Sequence, residues 1–476
     1  MIMKKLFILL FAAAAFSIFA ATPAMRNVLD YGAVRDGKTL DTAAIQKAID
    51  AGGIVHFPAG TYLTGTLYLK SGGGLDLAPG AVLLASTNPE DYNKNDFCPQ
   101  NRPDSPHAND PKRRARDWVS GKHLIVAVEQ QDIVIRGGGT ICGNRDAFGP
   151  IAVKDPWERI KTPMPWRPGE MVWICECDRV TMQDVRLIDA PFWTCVLQQC
   201  NDVTVNNIRV DMNKWTRNGD GFTIDGCRNV VMTNCIINSA DDSIVLKADH
   251  RRTKRKQALE NVTITNCVLS SVCYAVRVGV GNGIMRNIRV DNIFCKARIA
   301  VNIGLNWGLV KEIENITFSN FNIDCEIGVT IHKSDNRLKR QEKDVFIRNI
   351  AFENFRGLCV RAAQLESNVP VSNITVDGLN VKLRKFNHEL CPYRDMPKWD
   401  TPFYAKNING LKLNNINIEW DDYIDTYTKT LTIDRCQKVS INNCDFGGRS
   451  YWGMPSSFPK PTEEQIKYRK LWEHLY

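Results

Sequence analysis

The sequence lacks most of the features that mark metal, membrane and nucleic-acid classes. Histidine is scarce, at 7 residues in 476, and no Cys/His cluster has metal-ligand spacing, so no metal centre is expected. His332 and His388 are isolated. There is one long hydrophobic run, "LFILLFAAAAFSIFAA", close to the N-terminus. It is short for a spanning helix and none follows it, so no membrane span is expected. No nucleic-acid-binding module is visible. Charge of neither sign dominates: the formal net charge is +9, a weak bias towards acidic partners.

What is present begins with that run. Lys4 and Lys5 precede it and small residues from Ala20 to Ala24 close it, the pattern of a secretory leader over residues 1–24. Residues 25–476 then form an exported chain, periplasmic or secreted. Basic residues cluster in "PKRRAR" (111–116), "HRRTKRK" (250–256) and "RLKRQEK" (337–343), either solvated loops or a rim attracting an acidic polysaccharide. Sixteen cysteines in an exported protein would ordinarily suggest disulfides. Yet Cys235, Cys267 and Cys444 each follow an asparagine at the same point of a repeat. Stacked equivalents of that kind form a buried apolar ladder more often than bridges. Cys175 and Cys177 are expected on opposite faces.

The repeat is degenerate: Asn, four residues of alternating polarity, then Asn or Asp. "NDVTVNN" (201–207), "RNVVMTN" (228–234), "ENVTITN" (260–266) and "ENITFSN" (314–320) are examples. Val, Ile and Thr at period two are strand-forming. The recurring Asn fits a turn, where it tolerates a left-handed conformation. Stacked Asn side chains can also bond along the axis. Variable spacing between repeats fits strands joined by loops of different length. The prediction is an all-β, single-domain right-handed parallel β-helix of roughly ten coils. "DTAAIQKAIDAGG" (41–53) reads as a short amphipathic helix capping its N-terminal end, and 463–476 as a terminal helix. Residues 94–120 and 384–402 read as long loops, and the protein as a monomer.

The densest chemistry lies in "RNGDGFTIDGCRNVVMTNCIINSADDSIVLKAD" (217–249). Asp220 and the pair Asp241–Asp242 fall about one repeat apart, so three carboxylates are expected on one surface. Like charges that close raise at least one pKa and supply an acid beside a base. Asn218, two residues before Asp220, is expected to point the same way and orient it or a sugar hydroxyl. Lys247 could bind an anionic group, and Arg277 suits a planar carboxylate. Trp193 could pack beneath a cleft or stack on a sugar. Asp225, before Gly226, reads as a turn residue.

These motifs resemble glycoside hydrolase family 28, the polygalacturonase group, and its bacterial branch in particular. "YGAVRDGKTLDTAAIQKAIDAGGIVHFPAGTYLTGTLYLKS", "DIVIRGGGTICG", "APFWTCVLQQC", "NGDGFTIDGCRNV" and "SADDSIVLKA" carry the likeness. The resemblance implies Asp241 as general acid, Asp220 and Asp242 as holders of the attacking water, and inversion at the anomeric carbon. It implies a pectic or related polysaccharide substrate and no cofactor. Two motifs of the family are unmatched. Cys273 stands where a Gly-His-Gly histidine would, and Val301, Asn302 and Ile303 where Arg-Ile-Lys would grip a uronate. Polygalacturonan is therefore a doubtful substrate, and rhamnogalacturonan-type linkages remain. The rival readings are a calcium-dependent polysaccharide lyase and a non-catalytic glycan-binding β-helix.

Overall fold

The computed structural model describes residues 24–93, 121–148, 166–214, 216–250, 253–305, 311–332, 345–385, 399–420 and 427–448. The predicted leader, most of both long loops, the basic clusters at 111–116 and 337–343 and the 463–476 segment lie outside them. Among the described residues no helix is long and apolar enough to cross a membrane.

Among the described residues every strand pairing is parallel, which needs a crossover between partners, and such crossovers are right-handed. The chain winds as a right-handed parallel β-helix with three ladders. One ladder's outward column runs from Tyr68 through Val126, Trp173, Val196, Thr223, Val245, Arg277, Asn302, Thr330, Gln364 and Tyr404 to Thr432. That is twelve stacked strands, close to the roughly ten coils anticipated. The excess comes from the N-terminal coils, which are glycine-rich and lack the Asn repeat. The helix Thr42–Asp50 buries Ile45, Ala48 and Ile49, as its 41–53 pattern predicted.

The Asn signal has the expected cause. Asn229, Asn234, Asn261 and Asn266 all have φ between 56 and 58°, in the left-handed region that Asn tolerates. Two side-chain ladders run along the axis. In one, Asn261 Nδ2 donates to Asn229 Oδ1 (3.1 Å) and Asn349 Nδ2 to Asn315 Oδ1 (3.0 Å). In the other, Asn292 Nδ2 donates to Asn266 Oδ1 (2.7 Å) and Asn354 Nδ2 to Asn320 Oδ1 (3.2 Å).

The interior is apolar. Val203, Val230, Val262, Ile288, Ile316 and Ile350 stack in one inward file, each at most 2% exposed. Phe321 and Phe355 stack one coil apart, 4.6 Å between centroids. All fourteen described cysteines are unbridged. Cys177, Cys200 and Cys227 recur on successive coils, the Cys200 amide lying 3.3 Å from Cys227 Sγ, and Cys235 and Cys267 are also buried. Cys444 is only half-buried. Cys175 and Cys177 do face opposite sides, because Glu176 between them adopts φ 55° and turns the chain. Cys177 joins the core, whereas Cys175 packs outside it with Trp173, Phe192 and Trp193.

Candidate active site

The aspartates sit on turns entering neighbouring strands of one ladder. Phe222 pairs with Ile244, so Asp220 and Asp242, each two residues earlier, occupy the same point of successive coils. The stacking partner of Asp220 is thus Asp242, and Asp241 stands beside it. The Asp241 and Ala240 amides both donate to Gly219 O, at 3.0 and 2.9 Å, and the Gly221 amide donates to Asp242 O at 2.9 Å. Coils that close require the flanking glycines. A Cβ on Gly221 would meet Ser243 O at 2.5 Å, and one on Gly219 would meet the Ala240 Cβ at 2.7 Å. Two serines brace the acidic turn: Ser239 Oγ donates to Asp241 O at 2.9 Å, and Ser271 Oγ reaches the same carbonyl.

Electrostatics separate the three carboxylates. Asp220 is buried, and burial together with Asp241 and Asp242 holds its carboxyl well above the usual range. Asp242 is also pushed up, to about 6, by burial, and Arg277 pulls against that shift. Arg277 Nη1 lies 2.9 Å from Asp242 Oδ2, while Asp242 Oδ1 has no hydrogen-bond partner. Asp241 is the half-buried member, the one nearest solvent. Arg277 is no surface arginine. Its guanidinium lies 5.4 Å from the Tyr274 ring, and its Nε has no hydrogen-bond partner.

Lys247 is buried, and its ammonium stands 3.6 Å over the Trp193 ring. Burial lowers its pKa, partly offset by Asp220 and Asp225. Trp193 stacks on Phe192 at 4.9 Å in a buried cluster outside the solenoid interior, beneath the Lys247 ammonium. Asn218 does not share a strand with Asp220. It lies in the preceding turn at φ 52°, and its Oδ1 accepts from Arg167 Nη2 at 3.2 Å. Asp225 is not a turn residue either. It ends the strand Phe222–Asp225, is buried, and pairs in register with Lys247.

Val301 and Ile303 face the core. Only Asn302 of that trio faces outward, beside Arg277, and its Nδ2 donates to Thr330 Oγ1 at 2.7 Å. The basic segment at 250–256 is not a free rim over its described part. Arg255 forks onto both Asp178 oxygens at 2.8 and 2.9 Å, and Lys254 pairs with Glu129. Arg167, Tyr274 and Gln198 were not anticipated. Gln198 pairs with Asp225 and was signalled only by a polar pair, "QQ", at the end of a strand.

Asp241, Asp242 and Cys273 offer ligand atoms within 4.8 Å of one another. Arg277 already occupies one Asp242 oxygen, and a thiol is a poor ligand for the hard cations that carboxylates suit. The arrangement is better suited to moving a proton than to holding a cation.

A parallel β-helix bearing three carboxylates and two buried cations on one ladder defines a class of solenoids with a charged face. The chain belongs to glycosyl hydrolases family 28, whose model matches residues 111–394. A second model, rhamnogalacturonase A/epimerase, pectate lyase-like, matches residues 25–72. The chain is 29% identical over 276 residues to an exo-poly-alpha-D-galacturonosidase of Dickeya chrysanthemi, covering 50% of this chain and 44% of that protein. It is 26% identical over 238 residues to a probable polygalacturonase of Vitis vinifera, covering 47% and 44%. The chain thus spans under half the length of these two relatives. Its fold is that of the Yersinia enterocolitica family 28 exopolygalacturonase: TM-score 0.64, 19% identity, 89% of this chain and 79% of the other.

Proposed function

We propose that this chain is an exported glycoside hydrolase acting on a pectic or related acidic polysaccharide. The observation that carries the reading is Asp220 stacked over Asp242, with Asp241 alongside, in a family 28 chain. Asp241, the most accessible, donates the proton to the leaving oxygen. Asp242, titrating at about 6 against Arg277, is ionised at neutral pH and takes the proton of the attacking water. Asp220, whose carboxyl burial and the neighbouring acids hold well above the usual range, orients that water. The leader at 1–24 supports export.

The substrate side follows from the ladder. Asn302 leaves a neutral amide at the coil next to Arg277, so a galacturonate at the cleaved bond has Arg277 as its candidate grip. Arg277 is already paired with Asp242 at 2.9 Å, a weak hold for a uronate, so efficient hydrolysis is expected on a mixed pectic chain rather than on unbranched polygalacturonate. The test is product release from polygalacturonate, rhamnogalacturonan and neutral glycans, with the anomer of the first product read by proton NMR. Release from no pectic chain would end the reading. Asp241 and Asp242 oxygens lie within 4.8 Å, nearer the roughly 5–5.5 Å of retaining pairs than the roughly 6.5–9.5 Å of inverting ones. Inversion thus requires the water to sit on the Asp220 side. An inverted first product supports that placement; retention would make a carboxylate the nucleophile.

A further inference from the structure

The column that carries Asp220 and Asp242 continues to a third buried cation, Arg361. The Ser243 amide donates to Tyr274 O, which puts Tyr274 one coil beyond Asp242. Tyr274 pairs with Ile299, Ile299 with Ile327, and Ile327 with Arg361. Arg361 is therefore four coils from Asp242, about 19 Å at a strand spacing of about 4.8 Å. Gln364 and Tyr404 beside it extend the outward column that passes through Arg277, Asn302 and Thr330. The ladder is continuous between the two places.

Arg361 is 4% exposed. Its guanidinium lies 5.0 Å from the Trp399 ring and 5.5 Å from that of Tyr404. Nη1 donates to Gln364 Oε1 at 3.1 Å, and Nε has no hydrogen-bond partner. Among the described residues no carboxylate lies within salt-bridge distance of it. The nearby acids are engaged with lysines: Glu366 with Lys406 at 3.6 Å and Asp400 with Lys429 at 3.1 Å. Burial pushes the guanidinium pKa down to about 10. A buried cation without a counter-charge is costly unless an anion completes it. Arginine's planar fork matches a carboxylate, and aromatic faces suit a sugar ring.

We propose that Arg361, with Gln364, Trp399 and Tyr404, forms a distal subsite for a carboxylate-bearing sugar of the same glycan chain that is cleaved at the aspartates. This rests on the hydrolase reading for its substrate class. It makes the chain a reader of length, since only an oligosaccharide spanning four coils reaches both sites.

Binding separates the two claims. Oligogalacturonates of three and seven sugars serve as probes, because every sugar carries a carboxylate and no particular register is needed. Affinities are measured by calorimetry on the full chain carrying Asp241→Asn, with and without Arg361→Gln. The expected result is a loss of about 30-fold or more for the heptamer, the worth of one partner of a buried charged pair, with the trimer unchanged. An unchanged heptamer, an equal loss for both lengths, or no measurable heptamer binding at all would overturn the subsite. So would an equal loss for a carboxyl-reduced heptamer, which would assign the rings to a neutral sugar. Should Arg361→Gln fail to fold, Arg361→Lys keeps the charge without the fork and must still weaken the heptamer selectively. If the unmutated chain binds the heptamer but cleaves no pectic substrate, the hydrolase reading fails while the Arg361 comparison still decides the subsite.

Discussion

Two consecutive strands of one coil show opposite burial. In Arg228–Thr233 the inward residues Val230 and Met232 are buried, and the outward Val231 is 47% exposed. In Phe222–Asp225, one turn earlier, all four residues are buried, including the outward Thr223 and Asp225. Both strands belong to parallel ladders with the same pleat. The first has a solvated back, as a scaffold does. The second has its outward side closed over by the charged network of Asp220, Asp242, Lys247 and Arg277. In this solenoid, a polar residue that is outward yet buried marks chemistry, and an apolar residue that is outward and exposed marks nothing.

The contrast predicts that the two faces fail in different ways. The largest effect should come from Asp241→Asn, which removes the proton donor and should lower kcat by about 10²–10⁴-fold, with the melting temperature nearly unchanged. Near wild-type turnover in a reducing-sugar assay would contradict the acid assignment. Arg277→Gln comes next. Without the guanidinium, burial and the neighbouring acids act unopposed on Asp242, whose carboxyl must rise above its present value of about 6. The acid limb of the kcat/KM profile, where activity grows as the base ionises with rising pH, should move to higher pH. The stability sign follows from the same shift. A carboxyl raised in the folded state favours folding while protonated, and that contribution is lost as pH climbs through about 6. A profile that stays in place would separate Arg277 from Asp242.

On the scaffold face the effects should reverse. Asn261 holds φ 57° and donates to Asn229 at 3.1 Å. Asn261→Ala should cost roughly 1–3 kcal/mol, combining left-handed strain with two lost ladder bonds, since Asn261 also accepts from Asn287. Calorimetry should show the loss while kcat stays intact. Smallest of all, Val231→Thr on the exposed back should stay within about 0.5 kcal/mol and leave activity untouched. A kinetic defect there would erase the distinction between the faces.

The solenoid was legible because its signals are local. Alternation of Val, Ile and Thr fixes the strands, and Asn at the corner fixes where each turns. The acidic cluster was legible because two adjacent aspartates lie nearly one period from a third. Its pairing was off by one, since the partner of Asp220 is set by the register of Phe222 on Ile244 and not by the aspartates. Asn218 was misplaced because residues 216–221 are turn, where the rule that i and i+2 point alike has no hold. Asp225 was missed because its burial depends on Gln198 and Lys247 from neighbouring coils. Arg361 left no signal at all: Trp399 and Tyr404 are far along the chain and meet it only through the winding.

The unequal coils have a mechanical consequence. Asp220 and Asp242 are separated by 22 residues, whereas the Asn ladders step by 32 residues at Asn234–Asn266 and by 34 at Asn320–Asn354. Each coil rests only on the one before and the one after. Pulled by its ends, such a spool would come off turn by turn. Each detachment would release its own length of thread, about 75 Å from the 22-residue coil and about 120 Å from the 34-residue one at roughly 3.3–3.6 Å per residue. The sequence of step lengths in a single-molecule trace would then work as a barcode, naming the turn that had let go. The 22-residue step, from the acidic turns, would show whether the charged face is also the place where the spool holds least.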